Sequence, residues 1–525
     1  MGEAAAAYAR KDSAAAASLC ERVLALYPEM PEALHLLGLC MLAAGDPPRA
    51  VTLLERAAAL KPQDAQLAHN LGVAHTDLGD TAGARSAFTH AVSLAPGNVE
   101  SQFNLAVVSE ETGDEEAAEQ AYRKVLVLAP RHARAASGLA TLCEQRNDLE
   151  EAARWTTIAL LADGADPVAN LTQAQLDFRA GRHREAAARL ETLLQQPLSK
   201  RNRALAAGRL GVIFDRLGRP ADAWHMFLAA KAALSDSFKV SEGNGFYSFE
   251  TAARVTRQLE TLLVLPPGAA SDGDTPVFLV GFPRSGTTLL DQLLASHSGL
   301  EVLEERDTLQ DLLGQFTRSD AGLMELAGLA DDALDTFRQR YWQRVAGYMP
   351  RREAGKRLVD KLPLNSVFMP LMARLFPAAK FIFAVRDPRD VVLSCFMQTF
   401  ALNEAMRHFL TLEETADYYA AVMAVGSRSL QVLQTRALLI RYEDLVEDTE
   451  KETRSLLEFL DLAWEPALLD FQATAKKRRI NTPSYHQVAQ PIYSSARQRW
   501  RRYAAQLQPV LPVLQPYVEH FGYAV

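Results

Sequence analysis

Glycine, arginine, serine and threonine stand together at Gly281-Phe282-Pro283-Arg284-Ser285-Gly286-Thr287-Thr288. The spacing is that of a phosphate-binding loop, G-x-x-x-x-G-x-[ST], whose backbone N–H groups and following helix N-terminus hold an anion. Thr287 stands where a nucleotidase loop carries lysine. That lysine neutralises the transferring phosphate beside magnesium. The loop is therefore expected to hold a phosphate, but not the triphosphate tail of ATP, with Arg284 as the nearest cation. A second anion site is suggested by Arg386-Asp387-Pro388-Arg389-Asp390 and the following Val391-Val392-Leu393-Ser394. If a helix begins near Asp387, Arg386 and Ser394 face one anion, the first with a planar fork of donors and the second with a hydroxyl.

These groups need elements to position them. Pro276–Val280, Lys380–Val385 and Ala437–Tyr442 are apolar, partly β-branched runs and read as strands, and Leu289–Leu294 reads as a helix. The intervening patterns are helical, including the stretch 309–350, where a substrate lid could lie. Strands alternating with helices argue for a parallel sheet covered on both faces, with ligands at the carboxyl ends of the strands. The Pro/Gly/Ser/Asp-rich run from Leu265 to Asp274 reads as a linker.

Before the linker the chain repeats itself. Gly45, Gly79, Gly113, Asn147 and Gly181 are spaced by 34 residues, as are Ala50, Ala84, Ala118, Ala152 and Ala186, and Pro28, Pro62, Pro96 and Pro130. Each unit reads as a helix, a left-handed turn at Gly or Asn, a second helix packed closely through alanine, and a proline stop. Lys11-Asp12 falls one period before Gly45-Asp46 and marks a partial opening unit. A further helical pair around Leu205–Leu234 is out of register, Gly218 lying 37 residues after Gly181.

The chain of 525 residues is long enough for two or three domains, and 48% hydrophobic and 23% charged residues are ordinary for a globular protein. A net charge of −8 argues against general nucleic-acid binding. The four cysteines show neither disulfide nor metal spacing, which suits a reducing compartment and a cytoplasmic location. No metal site, membrane span or signal peptide is expected.

The first half resembles the tetratricopeptide repeat, whose period is 34. It implies a helical solenoid that binds a protein or peptide, or else serves only as a stable array or dimerisation surface. Three blocks of the second half, the loop Gly281–Thr288, the run Arg386–Ser394 and Arg441-Tyr442-Glu443-Asp444 after the third strand, together resemble the sulfotransferase superfamily, and within it the tyrosylprotein sulfotransferases and their bacterial relatives. The resemblance runs from about Pro276 to Trp500. It implies an α-solenoid over 1–235, a connecting segment over 236–275, and a three-layer α/β, P-loop-like domain with a parallel sheet over 276–525.

By this resemblance, Arg284, Ser285, Gly286, Thr287 and Thr288 bind the 5′-phosphosulfate of 3′-phosphoadenosine-5′-phosphosulfate. Arg386 and Ser394 bind its 3′-phosphate, helped by Arg499 in place of a family lysine, and Tyr442 touches the nucleotide. Glu305, the second of the pair Glu304-Glu305, is the catalytic base, while Lys361 and Ser484 stand with Arg284 beside the leaving group. The family arginine two residues after the base is Asp307 here. No metal is required. The acceptor is a hydroxyl, with tyrosine in a peptide or protein, a saccharide or a small metabolite all compatible, and a homodimer is compatible too. Phosphoryl transfer through an atypical loop, a non-catalytic repeat scaffold and a repeat-coupled glycosyltransferase are the alternative readings. Lys476-Lys477-Arg478-Arg479 reads as a solvated basic loop and His297 as a helix-end packing residue.

Overall fold

Seven turns in the first 218 residues share one backbone solution. Lys11, Gly45, Gly79, Gly113, Asn147, Gly181 and Gly218 all adopt positive φ, between 63° and 81°. A left-handed residue ends one helix and lets the next turn back against it. Asp12, Asp46, Asp80, Asp114 and Asp148 then cap the following helix, each carboxylate accepting from the backbone N–H three residues on at 3.0–3.2 Å. Capping satisfies one of the N–H groups that a helix start leaves without an internal partner. The periodic alanines Ala50, Ala84, Ala118, Ala152 and Ala186 are fully buried, as close helix approach requires. The result is a tetratricopeptide solenoid of paired helices, from Gly2–Ala9 through His183–Leu194.

This structure is a computed structural model, and it describes residues 1–235, 245–263, 274–471 and 497–524. The chain divides into two compact units, Met1–Gln196 and Pro197–Val525. The out-of-register helices, Lys200–Arg216 and Pro220–Ser235, continue the repeat pattern in sequence and belong to the second compact unit.

Five parallel strands form the sheet of the second unit: β1 (Val277–Gly281), β2 (Leu300–Glu304), β3 (Arg357–Lys361), β4 (Lys380–Val385) and β5 (Ala437–Arg441). Their order is β2-β3-β1-β4-β5. Two of these, β2 (LEVLE) and β3 (RLVDK), do not stand out in the sequence because charged residues break up their short apolar runs. The register pairs Leu279 of β1 with Lys361 of β3 and with Ile382 of β4.

Alternation along the strands divides the core in two. Val277, Leu279, Val302, Val359 and Ile382 pack on one face with leucines of the helices Thr287–Ala295 and Thr449–Phe459. On the other face Phe278 stacks on Phe381 with ring centroids 5.5 Å apart, near Tyr341 and Phe376. Gly426, in the helix Leu412–Leu433, lies so close to Phe383 that a Cβ there would meet its ring at 2.6 Å. Helices thus cover both faces, giving the three layers expected of a parallel sheet. Among the described residues no helix is long and apolar enough to cross a membrane.

Candidate active site

The strand order brings the carboxyl ends of all five strands into one row, with β1 at its centre. After β1 the chain turns through Phe282–Gly286 into the helix Thr287–Ala295. Two features make its glycines necessary. A Cβ on Gly281 would meet the Ala384 carbonyl oxygen of β4 at 2.5 Å. Gly286 has φ +95°, and a Cβ there would meet the Tyr442 ring at 2.7 Å. Arg284 itself holds a left-handed φ of 71°, a strained conformation of the kind that clusters at binding sites. Ser285, Thr287 and Thr288 are buried in the turn and the first helical positions. The helix start directs backbone N–H groups and the positive end of its dipole to the same place.

The turn after β4 interlocks with this loop. Asp387 caps the helix Pro388–Met397, accepting from the Arg389 N–H at 3.0 Å, so the helix begins where the sequence suggested. Arg284 Nε donates to Ser394 Oγ at 3.1 Å, and Arg386 Nη1 donates to the Arg284 carbonyl at 3.4 Å. Arg386 also lies over the Tyr442 ring, 5.0 Å from its centroid. Tyr442 opens the helix Tyr442–Glu447 directly after β5. Burial raises the pKa of its phenol, an effect the Arg386 charge partly offsets. Arg284, Gly286, Arg386, Ser394 and Tyr442 therefore form one continuous set of contacts, although they come from three strand ends.

On the other side of β1 stands a buried cation. Lys361, at the end of β3, is 0% exposed. Its Nζ reaches Glu305 Oε1 at 2.8 Å, Glu304 Oε1 at 3.3 Å and Asp291 Oδ2 at 3.7 Å. Burial alone would lower the lysine pKa, but Glu305, Asp291 and Glu304 together outweigh it and raise it. The Glu305 N–H donates to the Lys361 carbonyl at 2.7 Å and the residue turns through φ +48°, which carries its side chain past the strand. Its side chain is 38% exposed, so Glu305 is the accessible end of an otherwise buried ion cluster.

Three carboxylates here were not singled out in the sequence. Asp291 is fully buried in the helix that follows the loop, and its signal was an acid within the apolar run Leu289–Leu294. Asp360 is also fully buried. Burial pushes its pKa up to about 6 against the hydrogen bonds from Thr308 and Tyr341, at 2.7 and 2.9 Å. Asp390 accepts the backbone N–H groups of Gln498 and Trp500, both at 2.8 Å, and lies 3.6 Å from Arg386 Nη2. Asp390 thereby ties Arg499 to the Arg386 region, and Arg499 Nη2 in turn meets Asp215 at 2.9 Å.

Ser484 and the basic run Lys476–Arg479 lie outside the described residues. His297 is a packing residue, its Nε2 2.9 Å from the Ala463 carbonyl and its Nδ1 accepting the Gly299 N–H. Among the described residues no group of three or more His, Cys, Asp or Glu could hold a metal ion. All four cysteines are free and buried.

A five-stranded parallel sheet carries a glycine loop after its central strand, Arg386 in the turn after β4 and Lys361 at the end of β3, and so gathers cations at the strand ends of an α/β domain. Residues 276–466 match the family model described as Sulfotransferase family. Residues 7–71 match one tetratricopeptide-repeat model, and 69–131, 116–169 and 171–237 match another. The chain thus carries tetratricopeptide repeats in its N-terminal part and a sulfotransferase-family domain in its C-terminal part.

An uncharacterized protein of Aquifex aeolicus is 28% identical over 334 residues, 62% of this chain and 43% of its own length. Protein-tyrosine sulfotransferase 1 of Danio rerio is 28% identical over 263 residues, 47% of this chain and 72% of its own. Protein-tyrosine sulfotransferase 2 of Gallus gallus is 28% identical over 240 residues, 43% of this chain and 62% of its own.

Proposed function

We propose that the chain is a sulfotransferase that moves a sulfuryl group from 3′-phosphoadenosine-5′-phosphosulfate to a hydroxyl, with a tyrosine of a peptide or protein as the first acceptor to test. The observation that carries this reading is the row of groups at the strand ends. Glu305 and Lys361 are joined at 2.8 Å on one side of the glycine loop, and Arg386 and Ser394 are joined through Arg284 on the other. The donor set suits a ligand with two separated phosphates: the loop with Arg284 for one, and Arg386, Ser394 and Arg499 for the other. Arg499 Nε is a buried donor without a hydrogen-bond partner among the described residues, and so has a donor left for a phosphate oxygen.

When bound, the donor supplies a sulfuryl group whose S–O bond to the phosphate breaks as an S–O bond to the acceptor oxygen forms, leaving adenosine 3′,5′-bisphosphate. Lys361 and Arg284 provide positive charge where the leaving phosphate oxygen gains negative charge. Lys361 is kept cationic by its three carboxylates. Glu305, exposed beside it, takes the hydroxyl proton as the new bond forms. For Ser484, outside the described residues, the family resemblance is the support for a role at the leaving group.

The names of the Danio and Gallus relatives support tyrosine as acceptor. Asp307, exposed where the family carries arginine, removes one cation from the acceptor side, so the preferred peptide is less acidic than that reading alone would require. The solenoid is the element that brings a protein or peptide partner.

Calorimetric titration with adenosine 3′,5′-bisphosphate, beside ATP with magnesium, tests the donor class. The bisphosphate is expected to bind and ATP to bind weakly, with Arg386→Ala losing roughly a hundredfold in bisphosphate affinity. Preferential binding of ATP would replace this reading with phosphoryl transfer.

A further inference from the structure

Asp215 lies near the C-terminal end of the helix Lys200–Arg216, in the stretch that matches a tetratricopeptide-repeat model and outside the residues that match the sulfotransferase model. A carboxylate at a helix C-terminus faces the negative end of the dipole and needs cations to offset it. Asp215 is 6% exposed, and its partners all come from one short segment of the C-terminal region. Arg499 Nη2 is 2.9 Å from Oδ2, Arg502 Nη1 is 3.0 Å from Oδ1, and the Tyr503 hydroxyl donates to Oδ1 at 2.7 Å. From the opposite side Asp390 fixes the backbone of the same segment at Gln498 and Trp500. Gln498 takes a left-handed φ of 56° between these anchors.

The helical pair is also seated on the helix Pro388–Met397, which carries Ser394. Lys231 Nζ donates to the Gln398 carbonyl at the end of that helix at 2.8 Å, and the Trp224 ring packs on Phe396 at 4.9 Å. An arginine with many rotamers loses entropy when it orders around a phosphate. One held beforehand by a buried carboxylate, with Nε still lacking a partner among the described residues, loses less.

We propose that Asp215 is a positioning residue for the donor's 3′-phosphate, acting through Arg499, so that the last helical pair of the repeat region is a working part of the nucleotide site. The proposal rests on the sulfotransferase reading above. It extends the donor site beyond the sulfotransferase-family domain and makes that helical pair necessary to it.

The test compares two ligands on the full chain by calorimetry: adenosine 3′,5′-bisphosphate, and 5′-AMP, which lacks the 3′-phosphate. Asp215→Ala is expected to weaken the bisphosphate about tenfold and 5′-AMP less than about twofold, and to add nothing in an Arg499→Ala background, because the two residues act as one unit. Asp215→Asn, which keeps the oxygen acceptor without the charge, is expected to show the same ligand preference with a smaller loss, and it serves where the alanine variant fails to fold. Equal losses for both ligands, tighter bisphosphate binding, or full additivity with Arg499→Ala would overturn the positioning role and leave the donor assignment standing. A wild-type chain that binds no bisphosphate would overturn both.

Discussion

Asp114 in the repeat unit and Asp291 in the sheet unit are both carboxylates on helices, and they are used in opposite ways. Asp114 caps the helix Glu115–Leu128, accepting from the Ala117 N–H three residues on, and meets Arg85 of the preceding repeat at 3.0 Å, with both partners near the surface. Asp291 is fully buried inside its helix, and its cation, Lys361, comes from a different strand. Surface caps stabilise locally and are replaceable one by one. A cluster of one buried lysine and three carboxylates is costly to assemble, because each charge loses its hydration. It lies at a strand end beside the glycine loop, where the proposed function places its chemistry.

The comparison can be broken at several points. The largest effect is expected at Glu305. Glu305→Ala should lower sulfuryl-transfer turnover by about 10³-fold, a typical loss for a positioned general base. Bisphosphate affinity should stay within about threefold, since the group acts on the acceptor. Retained turnover in a folded variant would remove the base assignment.

Lys361→Met comes next. It leaves Asp291 and Glu304 without their buried cation and is expected to cost about 3 kcal/mol of stability in urea unfolding, together with most of the activity. An unchanged unfolding midpoint would mean that the cluster is not electrostatically closed.

Asp360 provides a pH signature. Its folded pKa is raised to about 6 by burial, so the native state binds the proton more tightly than the unfolded chain. Between about pH 4 and 6 this group therefore makes stability fall as pH rises, and above pH 6 its full penalty is present. Asp360→Asn, which can still accept from Thr308 and Tyr341, should gain stability relative to the wild type across that window. Parallel pH–stability curves for the two proteins would contradict the assignment.

The smallest effect is expected in the repeats. Asp114→Ala should cost about 1 kcal/mol of stability through the lost cap and leave bisphosphate affinity unchanged. A change in nucleotide affinity would show that the two kinds of carboxylate are not independent.

How much of this was legible follows from the range of each interaction. The turns at Gly45, Gly79, Gly113 and Asn147 and the aspartates that follow them, Asp46, Asp80, Asp114 and Asp148, could be read directly, because cap and turn are complete within a few residues. Strands β1 and β4 were visible as apolar runs. Strands β2 and β3, Leu300–Glu304 and Arg357–Lys361, were not, because charged residues interrupt runs only five residues long. Asp291, Asp360 and Asp390 looked like ordinary polar positions until folding closed neighbours around them. Asp215 gave no sign of its role, since its partners Arg499, Arg502 and Tyr503 lie far along the chain.

By itself, the chain's sequence determined the solenoid, the glycine loop, and the resemblance that named Glu305, Lys361 and Arg386 together. Each rests on local conformational preference or on residue types at short spacing. Only the tertiary structure decided that Lys361 is buried with its Nζ beside three carboxylates, that Arg284 holds Ser394, and that the last helical pair of the repeat region meets Arg499 through Asp215. Those outcomes depend on parallel strand order and on burial. Burial gives a charge its strength by removing water, and no spacing along the chain specifies which groups will be left dry.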